Sequence, residues 1–187
     1  MAPWADIDGF AILLGALLVL TLPIPWLISA ILAALFHECC HALAVKLLGG
    51  KILNFTLGLR GIRLDCTPLP PGKALIASLA GPLGSFSLLL FARYIPTIAL
   101  CAGVQGLFNL LPIYPLDGGR ILMDACSLIL PEDRASKVCH WTGTICSIII
   151  LVLALIASIR TKLGIFPILA AWMLRKIPCK DANLRVQ

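Results

Sequence analysis

The stretch "LAALFHECCHALAVKLL", Leu32 to Leu48, is apolar except for Lys46 near its end and a cluster at its centre: His37, Glu38 and His41. An ionisable residue inside a membrane span costs about 2.5–3.5 kcal/mol even on the mild insertion scale. Three of them so close together therefore ask for a function. Working outward, no charged residue occurs from Gly9 to Phe36, and apolar character resumes after the cluster up to Leu48. That length is enough for two spans of about 20 residues each. "TLPIPW" (Thr21–Trp26) separates them, because Pro23 and Pro25 remove two backbone donors. The first span is read as about 4–22 and the second as about 25–48, closed by Gly49-Gly50.

The whole chain has the same bias. It has 187 residues, 60% of them hydrophobic and 13% charged, with a mean hydropathy of +1.00. A soluble domain has nowhere to put that much apolar surface, so the fold class is an all-α polytopic membrane protein, in one domain over 1–187. A third span is expected at about 73–93, where Ala77, Gly81 and Ser85 recur every four residues as a small-residue face for close helix packing. A fourth runs from Pro96 to about Leu111, an amphipathic or re-entrant helix covers about 119–130, and a fifth span covers about 138–159. The polar stretch "PEDRASK" (Pro131–Lys137) reads as the longest polar loop. The run 164–177 is either a tilted sixth span or an interfacial helix. Between the second and third spans, "KILNFTLGLRGIRLDCTPLPPG" (Lys51–Gly72) alternates and is rich in β-branched and aromatic residues, so a short re-entrant β-hairpin is expected over about 51–67.

The net charge of +6 does not point to nucleic acid, because the basic residues sit at the ends of apolar runs, as membrane flanks do. With the N-terminus in the cytosol, twelve of the fifteen Lys and Arg fall inside and only Arg93, Arg160 and Lys162 outside. That bias selects the N-in orientation and places the His-Glu cluster toward the cytosolic side. No Lys or Arg precedes Lys46, so a basic signal-peptide n-region is missing and the first span is expected to be retained. The eight cysteines include no CxxC pair and read as small membrane-helix residues kept reduced.

"HECCH" is HExxH. Residues four apart share a helix face, so His37 and His41 can address one ion, and Glu38 projects about 100° round from His37. Two neutral imidazoles beside a carboxylate suit a hydrolytic zinc site: the imidazoles hold the ion and the carboxylate takes a proton from water. With three histidines and two glutamates in the chain, chance would give the motif in roughly three shuffled sequences per ten thousand. A catalytic zinc takes three protein ligands. Asp117 is the leading candidate for the third. It lies in "PLDGG", where Pro115 ends regular helix and Gly118-Gly119 permit a tight turn. Asp124 is the rival, and His140, beside the charged loop, reads as an interfacial residue.

"HECCHAL" together with "NLLPIYPLDGGRIL" resembles the site-2 protease family of intramembrane zinc metalloproteases, peptidase family M50, and is closest in shape to its sporulation factor IVFB branch. The resemblance implies that His37, His41 and Asp117 bind one Zn²⁺ per chain and that Glu38 is the catalytic base. Asn109 corresponds to a family asparagine thought to position substrate. "AGPLGS" (Ala80–Ser85) resembles a third-helix motif in which many members carry Asn at or near the position of Ser85. The implied activity is a metalloendopeptidase of regulated intramembrane proteolysis in a bacterial cell membrane, cutting a membrane-embedded or membrane-associated protein near the cytosolic face. The implied partners are that substrate, the lipid bilayer and a regulatory membrane protein. No PDZ or CBS domain of the kind carried by other branches is expected. An inactive relative would have lost Glu38 or a ligand. A membrane metal carrier would spread acidic and His residues along a path instead of clustering them in two motifs.

Overall fold

Pro23 and Pro25 open the helix that carries the histidines instead of breaking it. Helix α1 (Ile24–Leu47) has Pro23 as its N-cap and proline in its first turn, where the missing N–H would have had no helical partner. Its 24 residues give a length of about 36 Å. At the other end Gly49 adopts φ 87°. The Gly50 N–H donates to Val45 O (2.9 Å) and the Gly49 N–H to Lys46 O (3.2 Å). This is the paired closure that a left-handed glycine makes possible, and Lys46 in the last turn complements the helix dipole.

The structure, a computed structural model, describes residues 23–58, 61–114 and 116–161. The expected first span at 4–22, the run 164–177 and Pro115 lie outside the described residues. The described residues form two units, one of 23–69 with Leu79–Phe108, the other of Pro70–Ser78 with 109–161.

The first unit holds α1, a hairpin, most of α2 and α3. Strands β1 (Ile52–Gly58) and β2 (Gly61–Cys66) pair antiparallel, with Gly58 opposite Gly61 and a register shift between Ile52 and Asn54. Thr67 N–H donates to Lys51 O, and Lys51 N–H to Thr67 Oγ1, both at 2.9 Å, closing the hairpin over the expected 51–67. The hairpin packs against α1. Helix α2 (Pro71–Ser87) continues through Pro82, whose side chain is fully buried, into a 3-10 turn (Leu88–Phe91). Helix α3 (Pro96–Asn109) is 14 residues, about 21 Å, which is short against a hydrocarbon core of about 30 Å. The Ser29 hydroxyl donates to Pro25 O (2.7 Å) and accepts from Thr97 Oγ1 (3.0 Å), joining α1 to α3.

The second unit holds the start of α2, α4 (Asp117–Ser127) and α5 (Glu132–Thr161), with α4 packed on α5. At 11 residues α4 is about 16 Å long and cannot span, as expected of the non-spanning helix read from the sequence. Helix α5 begins inside "PEDRASK", which is therefore mostly helix, not loop. Glu132 and Asp133 fill the first turn, where the helix dipole favours acids, and the N–H groups of Arg134 and Ala135 donate to Pro131 O. Within the span, Thr144 and Ser147 satisfy their hydroxyls on the carbonyls of His140 (2.8 Å) and Gly143 (2.7 Å), four residues back.

Packing is inverted relative to a soluble domain. Ala33, Ala99 and Ala102 are wholly buried, while Leu35, Leu43, Leu83 and Leu107 are exposed. Lipid is as apolar as leucine, so small residues go where helices touch and large ones face outward. Among the described residues, Ile24–Leu47, Pro71–Phe91 and Glu132–Ile156 are long and apolar enough to cross a bilayer. The protein is a multi-pass, predominantly helical membrane protein.

Candidate metal centre

The buried face of α1 runs Ser29, Ala33, His37, His41, Val45, one residue per helical turn. This stripe places both imidazoles inside the first unit, 1% and 8% exposed. Their rings meet edge to face with centroids 4.8 Å apart, and their Nε2 atoms stand 3.2 Å apart. Two nitrogens bound to one tetrahedral zinc at about 2.0–2.1 Å would lie about 3.3 Å apart. The separation of the pair therefore suits a single ion. Glu38 follows His37 and is half-buried.

Helix α2 supplies the wall behind the histidines. Gly81 and Ser85, four residues apart, match the spacing of His41 and His37 on the facing helix. A Cβ at Gly81 would come within 2.7 Å of His41 Cδ2, and one at Gly84 within 2.9 Å of Cys40 Cβ. Distances under 3.0 Å are not seen for real Cβ atoms, so the two helices approach this closely only because both positions are glycine. Cys40, read from the sequence as filler, thus occupies a fitted place against Gly84, while Cys39 is exposed. Ser85 is fully buried, and its Oγ lies 2.8 Å from His37 Nδ1. The sequence reading had Ser85 as one of a row of small residues and as the end of a third-helix motif, with no link to His37. The signal for more was the shared four-residue spacing of the two helices.

Asp117 is placed in the second unit, 7% exposed, at the first position of α4 after the extended Leu116. Gly118 and Gly119 are buried beside it and belong to the helix, not to the tight turn expected there. Their role is close approach. A Cβ on Gly118 would strike the carbonyl oxygens of Leu110 and Leu111, and one on Gly119 would lie 2.5 Å from Tyr114 N. The preceding loop is thus folded down on the first turn of α4, and this holds Asp117 in place. Gly118→Ala is expected to destabilise the protein by about 1–3 kcal/mol, the usual cost of overpacking, read as a lower thermal midpoint in detergent. An unchanged midpoint would mean that the loop gives way easily.

The other acidic and histidine candidates separate cleanly. Asp124 accepts a hydrogen bond from Ser78 Oγ (3.2 Å), which gives it a structural partner. His140 is exposed on α5 with Trp141 against its ring. Asn109 is the last residue of α3 and half-buried.

Known proteins give the same direction. Residues 72–153 match the model of peptidase family M50, a segment that contains Ser85, Asn109 and Asp117 and begins after the HExxH helix. The zinc metalloprotease MJ0392 of Methanocaldococcus jannaschii is 27% identical over 165 residues, covering 79% of this chain and 49% of that protein. The chain thus spans about half the length of that curated relative. The solved structure of a site-2 protease from the same organism matches with a TM-score of 0.61 and 26% identity, over 88% of this chain and 82% of that one. The HExxH helix, the aspartate motif, the family model and the fold agree in making this chain similar to the site-2 protease family of membrane metalloproteases, peptidase family M50.

Proposed function

We propose that this protein is an intramembrane zinc endopeptidase. It would cleave a membrane-embedded or membrane-associated protein near the cytosolic face, in regulated intramembrane proteolysis. The observation that carries this reading is the pair of buried Nε2 atoms 3.2 Å apart, with a carboxylate one residue along the same helix. His37, His41 and Asp117, all buried and each offering one ligand atom, would together hold one zinc ion. A zinc ion held by these residues would supply Lewis acidity for hydrolysis near neutral pH.

The chain's own groups do the rest. The Glu38 carboxylate accepts the proton that the attacking water loses and delivers it to the leaving amide nitrogen. The Asn109 side-chain amide donates a hydrogen bond to a substrate carbonyl. A substrate helix has its carbonyls committed to its own hydrogen bonds and must be extended before it is cut. The two-stranded hairpin of β1 and β2 offers an edge on which an extended segment can add as a further strand. The substrate is thus a membrane protein, and a second membrane protein that presents or withholds it would regulate the reaction.

The test is metal analysis and cleavage by the detergent-purified protein. Wild type should carry about one zinc per chain, and a chelator should stop cleavage of a membrane substrate until zinc is restored. Asp117→Ala should purify with clearly less zinc. Full zinc content in that variant would remove Asp117 from the ligand set, and chelator-insensitive cleavage would overturn the metalloprotease reading.

A further inference from the structure

The wall behind the histidines does more than make room. We propose that Ser85 is a positioning residue for the metal. Its hydroxyl oxygen accepts the Nδ1–H of His37, fixing that imidazole in the tautomer and orientation that leave Nε2 to bind the ion. The proposal rests on the zinc reading given above and adds a residue to it.

Three observations on one face of the molecule carry it. First, His37 Nδ1 lies 2.8 Å from Ser85 Oγ while His37 Nε2 faces His41 Nε2 at 3.2 Å, so the two nitrogens of one ring have separate duties. A neutral imidazole has one donor and one acceptor nitrogen. The nitrogen turned to the ion must present its lone pair, so the proton belongs on Nδ1 and Ser85 is its acceptor. Second, both residues are sealed off: Ser85 is 0% exposed and His37 1%. An Nδ1–H left there with no acceptor would suffer the full penalty of a buried, unsatisfied donor. Third, Ser85 itself is held from behind. On α3 a Cβ at Gly106 would come within 3.0 Å of Ser85 Cβ, so α3 closes on Ser85 at a position where it carries no side chain. The hydroxyl is clamped between α1 and α3. Groups of this kind around metal-binding histidines raise affinity by restricting the ring and fixing its proton.

The experiment compares wild type, Ser85→Ala and Ser85→Cys as full-length proteins in detergent. Zinc affinity is read by competition with a chromophoric chelator, and coordination by the visible absorption of the cobalt-substituted protein. Ser85→Ala is expected to bind zinc about 10–100-fold more weakly and to show altered cobalt bands. Ser85→Cys keeps the side-chain volume but offers a poorer acceptor, so it should fall between the other two. The proposal is overturned if Ser85→Ala binds as tightly as wild type. It is equally overturned if Ser85→Cys matches wild type while Ser85→Ala is weakened, because volume alone would then explain the effect. If Ser85→Ala does not fold, Ser85→Cys decides by the same comparison with wild type. Wild-type protein that binds no zinc at all would sink the zinc reading itself, and this inference with it.

Discussion

Glu38→Gln will bind zinc as wild type does and cleave about 10²–10⁴-fold more slowly, the usual contribution of a positioned general base. The substitution exchanges a carboxylate for an amide of nearly the same shape on a half-buried position of α1. The amide cannot accept a proton at neutral pH, yet it leaves the buried stripe of His37 and His41 untouched. Rate and metal content therefore separate: zinc stays at about one per chain while turnover collapses. Substrate affinity should stay close to wild type, so the variant should hold uncut substrate and co-purify with it from its native membrane. A variant that cleaves at the wild-type rate would show that the base lies elsewhere. A variant that loses both zinc and activity would place Glu38 in the ligand shell instead.

Gly81→Ala should abolish metal binding although position 81 bears no donor atom. The added methyl would sit 2.5 Å from His41 Cε1 and 2.7 Å from Cδ2. The ring cannot yield toward His37, whose Nε2 is already only 3.2 Å from its own. Either the ring turns away from the ion or α1 and α2 part, and each breaks the convergence of the two nitrogens. The expected loss of zinc affinity is at least about 100-fold, the upper end for changes outside the ligands themselves. Gly103→Ala is the control. The nearest atoms to its Cβ would be the methyl groups of Leu89, at 3.0 Å and 3.6 Å, and a leucine terminus can move. It should keep its zinc. Equal affinity in Gly81→Ala and wild type would mean that the two helices do not pack as closely as described.

Much of this was legible in the letters. Prolines at 23 and 25 and the Gly49-Gly50 pair bracket α1 to within a residue of its ends, because proline and positive-φ glycine act locally. The hairpin over 51–67 was likewise local, an alternation bounded by glycine and proline. The HExxH spacing announced the pairing of His37 with His41, since four residues on a helix fix a shared face. What stayed hidden depends on neighbours distant in sequence. Ser85 reaches His37 across 48 positions, and no propensity encodes that meeting. Gly118 and Gly119 look like turn residues by composition; only the loop folded over them, at Leu110 to Tyr114, shows that they serve close approach inside a helix. "PEDRASK" reads as loop because it is polar, yet its acids stand where a helix start favours them.

The glycine stop at the end of α1 also fixes a depth. His41 lies six residues before Leu47, the last residue of α1, which at 1.5 Å per residue is about 9 Å along the axis. With that end of α1 at the edge of a hydrocarbon layer of about 30 Å, the proposed site would lie in the layer's outer third, not at its midplane. In the proposed reaction, a client helix entering from that side would need only its terminal turns melted to bring a peptide bond to the site, and most of its length could stay wound. Residues that loosen the end of a helix, such as glycine, proline, asparagine or serine, should then mark good clients at that border of the membrane. Moving such a weak point toward the middle of the client helix should protect it from cleavage.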